Sequence, residues 1–189
     1  MELLKQRILQ EGKALSEEIL KVDSFLNHQI DPVLMMDIGE EFKRRFAGQE
    51  ITKVLTVEAS GIAVALMTGL ALKVPVVFAK KKKASTISGN VYVGTVYSYT
   101  RQESYDIVVQ DTYLKPEDKV MIIDDFLATG EASQGMVSLV EQSGAQLVGV
   151  GIVIEKVFQC GGQQLRDKGI WVESLVQVKS MQKGHIEFV

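Results

Sequence analysis

The stretch from residue 51 to residue 79 alternates in a way that few folds accept. ITKVLTV (51–57) is rich in β-branched residues, GIAVALMTGLAL (61–72) is long enough for a helix, and VPVVFA returns to a short β-rich run with its core at 75–79. The pattern recurs with KVMIID (119–124), GEASQGMVSLVEQSG (130–144) and QLVGVGIVIE (146–155). It closes with a short helix at GGQQLRDKG (161–169) and a last strand at IWVESL (170–175). Strands that alternate with helices need crossover connections, so the expectation is an α/β fold, a mostly parallel sheet covered by helices on both faces. Ahead of it, residues 1–12 read as an amphipathic helix closed by Gly12. Asp31-Pro32 reads as an N-cap followed by proline at the first helical position, opening a helix that runs to Gly48. Residues 80–105 are polar, with Gly89 and Gly94 among Tyr, Thr and Val, and suit a long loop or an excursion of weak strands. At 189 residues the chain is expected to form a single domain, with N-terminal helices over about 1–48, a core over about 50–160 and a C-terminal part over 161–189.

Composition narrows the function classes. The net charge of −3 gives no electrostatic reason to expect a nucleic-acid partner, because phosphate-backbone affinity depends on clustered Lys and Arg. One cysteine, Cys160, excludes an internal disulfide and favours a reducing compartment. MELLKQRILQEGKAL interleaves charge with Leu and Ile, unlike a signal peptide, and no run approaches the ~20 apolar residues that span a bilayer. A cytoplasmic protein without a membrane partner is expected.

Ligands of parallel sheets bind beyond the carboxyl ends of the strands. That rule selects Glu58-Ala59-Ser60-Gly61, Lys80 to Lys83, Asp124 to Ser133, and Glu155-Lys156, all expected along one edge. In the third cluster, Gly130 permits a tight turn, and Thr129 and Ser133 place hydroxyls where a helix begins, an arrangement suited to a phosphate. Asp124 and Asp125 cannot both face one ligand inside a regular strand, so they are expected where the strand unravels. Beside a phosphate cradle they suit sugar hydroxyls or a magnesium ion; the alternative is an N-cap and a solvated acid. No G-x-x-x-x-G-K-[ST] is present, and Gly149 and Gly151 lack the third glycine of G-x-G-x-x-G.

The whole run VMIIDDFLATGEAS (120–133), a hydrophobic segment, an acidic pair, two residues and then A-T-G, resembles the phosphoribosyl-pyrophosphate signature of type I phosphoribosyltransferases. The resemblance covers about residues 50–160 and implies that family's core with an N-terminal hood and a flexible flap. It implies that Asp124 and Asp125 take the ribose hydroxyls, while Ala128, Thr129, Gly130, Glu131, Ala132 and Ser133 wrap the 5′-phosphate. It makes Glu58-Ala59-Ser60-Gly61 similar to the pyrophosphate loop, often built with a non-proline cis peptide and here represented by Ser60 and Gly61. A plain helix entry is the alternative. One or two of Lys80, Lys81, Lys82 and Lys83 would meet pyrophosphate, otherwise a solvated charge run, and residues 84–105 would be the flap, with Ser98-Tyr99 as a candidate pair. It further implies Mg²⁺ carried mainly by the substrate, with no protein ligand assigned, and a homodimer to which Val91, Tyr92 and Val93 contribute.

The base is read less directly. Hypoxanthine-guanine members of the family carry Asp where this chain has Ala128, and adenine members carry a Glu-Tyr pair in a flap that here reads Ser98-Tyr99-Thr100, so the general base is unassigned. Lys156 follows a strand and suits a donor to an oxygen at purine C6; its alternatives are a salt bridge with Glu155 or a surface position. LKVDSFLNHQIDP (20–32), with A-T-G and E-K, resembles the bacterial xanthine phosphoribosyltransferases. That implies that Leu20 and Asn27 close over the base, although Asn27-His28 also suits a helix-terminating turn. The implied activity is transfer of phosphoribosyl from phosphoribosyl pyrophosphate to xanthine in purine salvage. Hypoxanthine or guanine as the base, or a non-enzymatic regulator that senses phosphoribosyl pyrophosphate, are the alternatives. A regulator would carry a DNA-binding module or a basic face, and the sequence shows neither.

Overall fold

The computed structural model describes residues 1–81, 89–98 and 103–189. Five parallel strands form the centre of one sheet: β3 (Lys53–Val57), β4 (Val76–Lys81), β7 (Lys119–Leu127), β8 (Gln146–Lys156) and β9 (Val172–Gln182). Antiparallel strands extend both edges, the hairpin β5 (Val91–Ser98) and β6 (Glu103–Gln110) beside β4, and β10 (His185–Phe188) beside β9. The full order is β10-β9-β8-β7-β3-β4-β6-β5. After the first helix, α1 (Glu2–Glu11), the small strands β1 (Lys13–Ala14) and β2 (Leu20–Lys21) pair with each other alone.

β7 shows why the sheet is buried on both sides. Met121 and Ile123 enter the core under α2 (Pro32–Arg45) and α3 (Gly61–Leu72), together with Phe25, Ile38 and Phe42. Val120 and Ile122 enter the opposite core with Leu139 of α4 (Glu131–Ser143) and Leu165 of α5 (Gly161–Asp167). Each such side chain contributes roughly 1.5–3 kcal/mol on burial, before conformational entropy is set against it. The start of α2 follows from its cap: Asp31 Oδ1 accepts from the backbone N–H of Val33 at 3.0 Å and of Leu34 at 3.1 Å, and Pro32 occupies the first turn. Gly39 lets α2 approach α3 closely, because a Cβ there would lie 2.6 Å from the Met67 carbonyl.

The hairpin β5–β6 rests on α4 in the same manner. A Cβ on Gly94 would stand 2.6 Å from the Gly135 carbonyl oxygen, and Gln142 both accepts from Val93 N–H (3.1 Å) and donates to Val93 O (2.8 Å). The weak-strand alternative for this region is therefore the observed one, with eight-residue strands in continuous register. Val91, Tyr92 and Val93 are half-buried, and Tyr92 packs against the core below α4. Lys82, Lys83, Tyr99, Thr100 and the remainder of the expected flap over 82–88 and 99–102 lie outside the described residues.

Three boundaries differ from the sequence reading. β7 does not end at Asp124: its ladder with β8 continues through Phe126↔Ile154 to Leu127↔Glu155. The acidic pair consequently lies inside the strand, and the expectation that the strand unravels there is not met, because β8 satisfies the backbone beyond it. The last parallel strand runs on to Gln182 and folds back through Gly184 (φ +79°) into β10. Residues 23–27 form a short π-helix, Asp23–Asn27, which His28 closes by donating its N–H to Asp23 O at 3.3 Å. Among the described residues no helix is long and apolar enough to cross a membrane.

Candidate active site

From β3 the chain proceeds to β4 on one side, whereas β7, β8 and β9 lie on the other, so the sheet switches direction between β3 and β7. The loops leaving the carboxyl ends of those two strands open a crevice there. One of them is Glu58–Ser60, which contains a cis peptide bond between Glu58 and Ala59, as the family resemblance implies. Glu58 is a tie between strands: its N–H donates to Ala79 O at 3.1 Å, and its Oε1 accepts from Lys81 N–H at 2.7 Å. Ser60 precedes α3 without a side-chain cap bond. Gly61 is required by close approach, since a Cβ there would lie 2.3 Å from Thr56 Oγ1 and 3.0 Å from Asp124 Oδ1. The start of α3 therefore meets β7 at Gly61 and Asp124.

Asp124 and Asp125 are both buried. Asp124 Oδ1 accepts the backbone N–H of Asp125 at 3.0 Å, which turns its carboxyl toward its neighbour although adjacent strand residues normally diverge. Burial, then the adjacent Asp125 charge and its hydrogen bond, push the Asp124 carboxyl well above the usual carboxylate range, while the charge of Lys81 acts in the opposite sense. Lys81 also stands over the Tyr105 ring at 5.2 Å. Lys80, its neighbour on β4, stands over Phe78 at 5.9 Å and lines a separate cavity of about 310 Å³ with Val108 and Tyr113. Of Lys80 and Lys81, Lys81 is the one whose charge acts on Asp124.

Beyond Asp125 the strand leads into Ala128–Ser133, the wall of a cavity of about 510 Å³. Gly130 adopts φ +87°, a conformation that side chains rarely take, and a Cβ there would meet Gly161 Cα at 2.9 Å. Gly161 in turn donates its N–H to Ala128 O at 3.1 Å, so the start of α5 braces the loop from behind. Glu131 opens α4, and Ser133 is buried in its first turn. A loop of this kind at a helix start presents backbone donors and the positive end of the helix dipole to an anion.

The same cavity is lined by Leu20 and Lys156. Lys156 Nζ donates to the Glu18 carbonyl at 2.6 Å and lies 5.4 Å from the centre of the Phe126 ring. Burial lowers its pKa below the usual lysine value, opposed by the charge of Glu18. The alternative of a salt bridge to Glu155 is not seen: Glu155 is bound by Arg166 at 2.6 and 2.8 Å. Asn27 is exposed at the end of the π-helix and does not line the cavity. The structure thus brings together Leu20, Ala128–Ser133 and Lys156 in one cavity, and it groups Gly61, Asp124, Asp125 and Lys81 at the carboxyl ends of β3, β4 and β7, with Ser60 just before α3. It leaves Lys80 and Asn27 apart. Glu18 and Ile19, which also line the cavity, carry no signal in the sequence, whereas the paired glycines Gly161-Gly162 at the start of a helix are a readable sign of close approach.

The Phosphoribosyl transferase domain family matches residues 26–188. A xanthine phosphoribosyltransferase of Moorella thermoacetica is 68% identical over 189 residues, covering 100% of this chain and 96% of that protein. One of Bacillus mycoides is 54% identical with the same coverage. Among solved structures, an adenine phosphoribosyltransferase of Trypanosoma brucei, in complex with AMP, pyrophosphate and ribose-5-phosphate, superposes with TM-score 0.77 at 24% identity over 92% of this chain and 79% of that one. An adenine phosphoribosyltransferase of Rhodothermus marinus gives 0.76 at 23% identity over 94% and 99%. These structures share the fold of this chain. With the family match spanning most of its length, the chain belongs to the phosphoribosyltransferase family.

Proposed function

We propose that this chain transfers the 5-phosphoribosyl group of phosphoribosyl pyrophosphate to xanthine, releasing pyrophosphate and xanthosine 5′-monophosphate. The observation that carries the reading is that Lys156 and the loop Ala128–Ser133 line one cavity, so a half-buried ammonium faces the space beside a phosphate cradle. An oxygen at purine C6 accepts from that ammonium; an amino group there would set donor against donor. Both relatives named above are xanthine phosphoribosyltransferases that span the whole chain, which supports xanthine as the base.

In this reading Ala128, Thr129, Gly130, Glu131, Ala132 and Ser133 hold the 5′-phosphate. Asp124 and Asp125 accept the ribose hydroxyls, and Ser60, Gly61 and Lys81 face the pyrophosphate, with Lys80 at the margin. A purine nitrogen attacks C1′ as the bond from C1′ to the pyrophosphate oxygen breaks. Leu20 and Asn27 belong to the hood over the base. The two carboxylates are hard oxygen donors that suit Mg²⁺ accompanied by substrate phosphates and water, and the ion would offset charge on the departing pyrophosphate. A single phosphoribosyltransferase domain, a cytoplasmic location and a homodimer complete the proposal. Incubating the protein with phosphoribosyl pyrophosphate, Mg²⁺ and each of adenine, guanine, hypoxanthine, xanthine and uracil tests it. Xanthine should be used best, and equal use of guanine or hypoxanthine would overturn the choice of base.

A further inference from the structure

Glu155 is 1% exposed, and every direction of its carboxylate is occupied. Arg166 of α5 grips it with two parallel bonds, Nη1 to Oε1 at 2.6 Å and Nη2 to Oε2 at 2.8 Å. From β9, Ser174 Oγ donates at 2.5 Å and Gln177 Nε2 at 2.9 Å. The first turn of α5 is seated on the same carboxylate, because a Cβ on Gly162 would fall 1.8 Å from Glu155 Oε1. One residue earlier, Gly161 lies against the loop in the cavity wall: a Cβ there would fall 2.5 Å from both Ala128 O and Gly130 N. Its N–H already bonds Ala128 O at 3.1 Å. A continuous line of close contact therefore runs from Arg166 and Glu155 through Gly162 and Gly161 to Ala128 and Gly130.

A buried ion pair is a poor means of gaining stability, since an apolar replacement of similar volume often serves as well or better. What the bidentate pair supplies is direction: it fixes the α5 start in angle and distance, and backbone phosphate donors are sensitive to displacements of a fraction of an ångström. We propose that Glu155 and Arg166 are positioning residues for the loop Ala128–Ser133, holding it in the shape that receives the ribose 5′-phosphate by way of Gly161 and Gly162. This rests on the phosphoribosyl-donor reading of that loop.

The test compares wild type with Arg166→Lys, which keeps the charge and loses the fork, and with Gly161→Ala, which keeps the ion pair and presses on the loop. Binding of ribose 5-phosphate is followed by calorimetry, and KM is measured separately for phosphoribosyl pyrophosphate and for xanthine, with thermal melting to establish folding. Both variants should weaken ribose 5-phosphate and raise KM for phosphoribosyl pyrophosphate by about tenfold, with KM for xanthine within about twofold of wild type. Wild type that fails to bind ribose 5-phosphate would remove the donor-site reading itself. Wild type that binds, with folded variants of unchanged affinity or with both KM values raised alike, would overturn the positioning role alone. If Arg166→Lys does not fold, Glu155→Gln, which keeps the size and removes the charge of the pair, decides by the same two readouts.

Discussion

Lys156 donates its ammonium proton to the carbonyl oxygen of Glu18 over 2.6 Å, so the residue at the carboxyl end of β8 is bonded directly to the segment that precedes β2. That bond uses one of the three ammonium protons, so Lys156 keeps donors for a base oxygen. Replacing Lys156 by Ala should cost about 1.5–3 kcal/mol, the worth of a hydrogen bond to a charged group. That corresponds to roughly 10–160-fold in kcat/KM, for xanthine, hypoxanthine and guanine alike. Kinetics on the three bases check it; a loss confined to one base would mean that Lys156 reads something other than the C6 oxygen.

Asn27 makes a contrasting prediction. If the π-helix turns it toward the base, Asn27→Ala should shrink the preference for xanthine over guanine while sparing the oxopurines as a group. An unchanged ratio would leave Asn27 with its observed place, the last residue of the π-helix.

For Gly130→Val, the β-branched side chain must enter a φ of +87° and press on Gly161 Cα. The backbone penalty is about 1–2 kcal/mol, small enough for the chain to fold, while the loop loses its shape. Circular dichroism should be that of wild type with activity abolished. A folded variant with normal KM and turnover would take Gly130 out of the site.

The acidic pair gives a prediction in which stability and activity move oppositely. Because Asp124 has its folded pKa raised above the ordinary 3.8, its contribution to stability is present at pH below that value and lost as pH rises through the folded pKa. Asp124→Asn should therefore raise the melting temperature of the ligand-free protein at neutral pH, by about 2–4 °C per kcal/mol gained, and should not do so in acid. Asp124→Asn combined with Asp125→Asn should nevertheless lose ~3 kcal/mol or more of transition-state stabilisation. Melting curves across pH and single-turnover rates check the two halves independently.

Glu155 behaves in the reverse sense. Burial works to raise its pKa, but the bonds from Arg166, Ser174 and Gln177 prevail and hold it below the ordinary 4.5. Its contribution is present above that value and lost as pH falls through the lowered folded pKa. Urea unfolding at successive pH values should show Glu155→Gln with a shallower loss of stability on the acid side than wild type; an identical acid limb would contradict this.

The parallel centre of the sheet was legible because buried strands such as β7 and β8 are near-continuous apolar runs and their crossover helices are long. The turn at Gly130 was legible because a glycine turn between a strand and a helix has few substitutes. The end of β7 was not, since two carboxylates within a strand look like its termination, and only the partner strand β8 shows that the ladder continues. The π-helix of residues 23–27 has no periodic signature to detect. The last hairpin was announced by Lys183-Gly184, a two-residue turn with glycine at positive φ, and passed over because the preceding strand mixes lysine, serine and glutamine with its apolar residues. VMIIDDFLATGEAS was legible as a strand, a glycine turn and a helix start, but that Lys81 rather than Lys80 reaches Asp124 depends on which face of β4 each residue occupies.

Gln142 has an effect beyond anchoring the hairpin to α4. β5 is the outermost strand, and an outer strand offers unpaired backbone groups to any other extended chain. At Val93 both outward groups are already taken by the two ends of one amide side chain, which stands in for one residue of a missing neighbour. A foreign strand arriving at that edge would find its ladder interrupted at Val93 and would have to displace a helix-borne glutamine to continue.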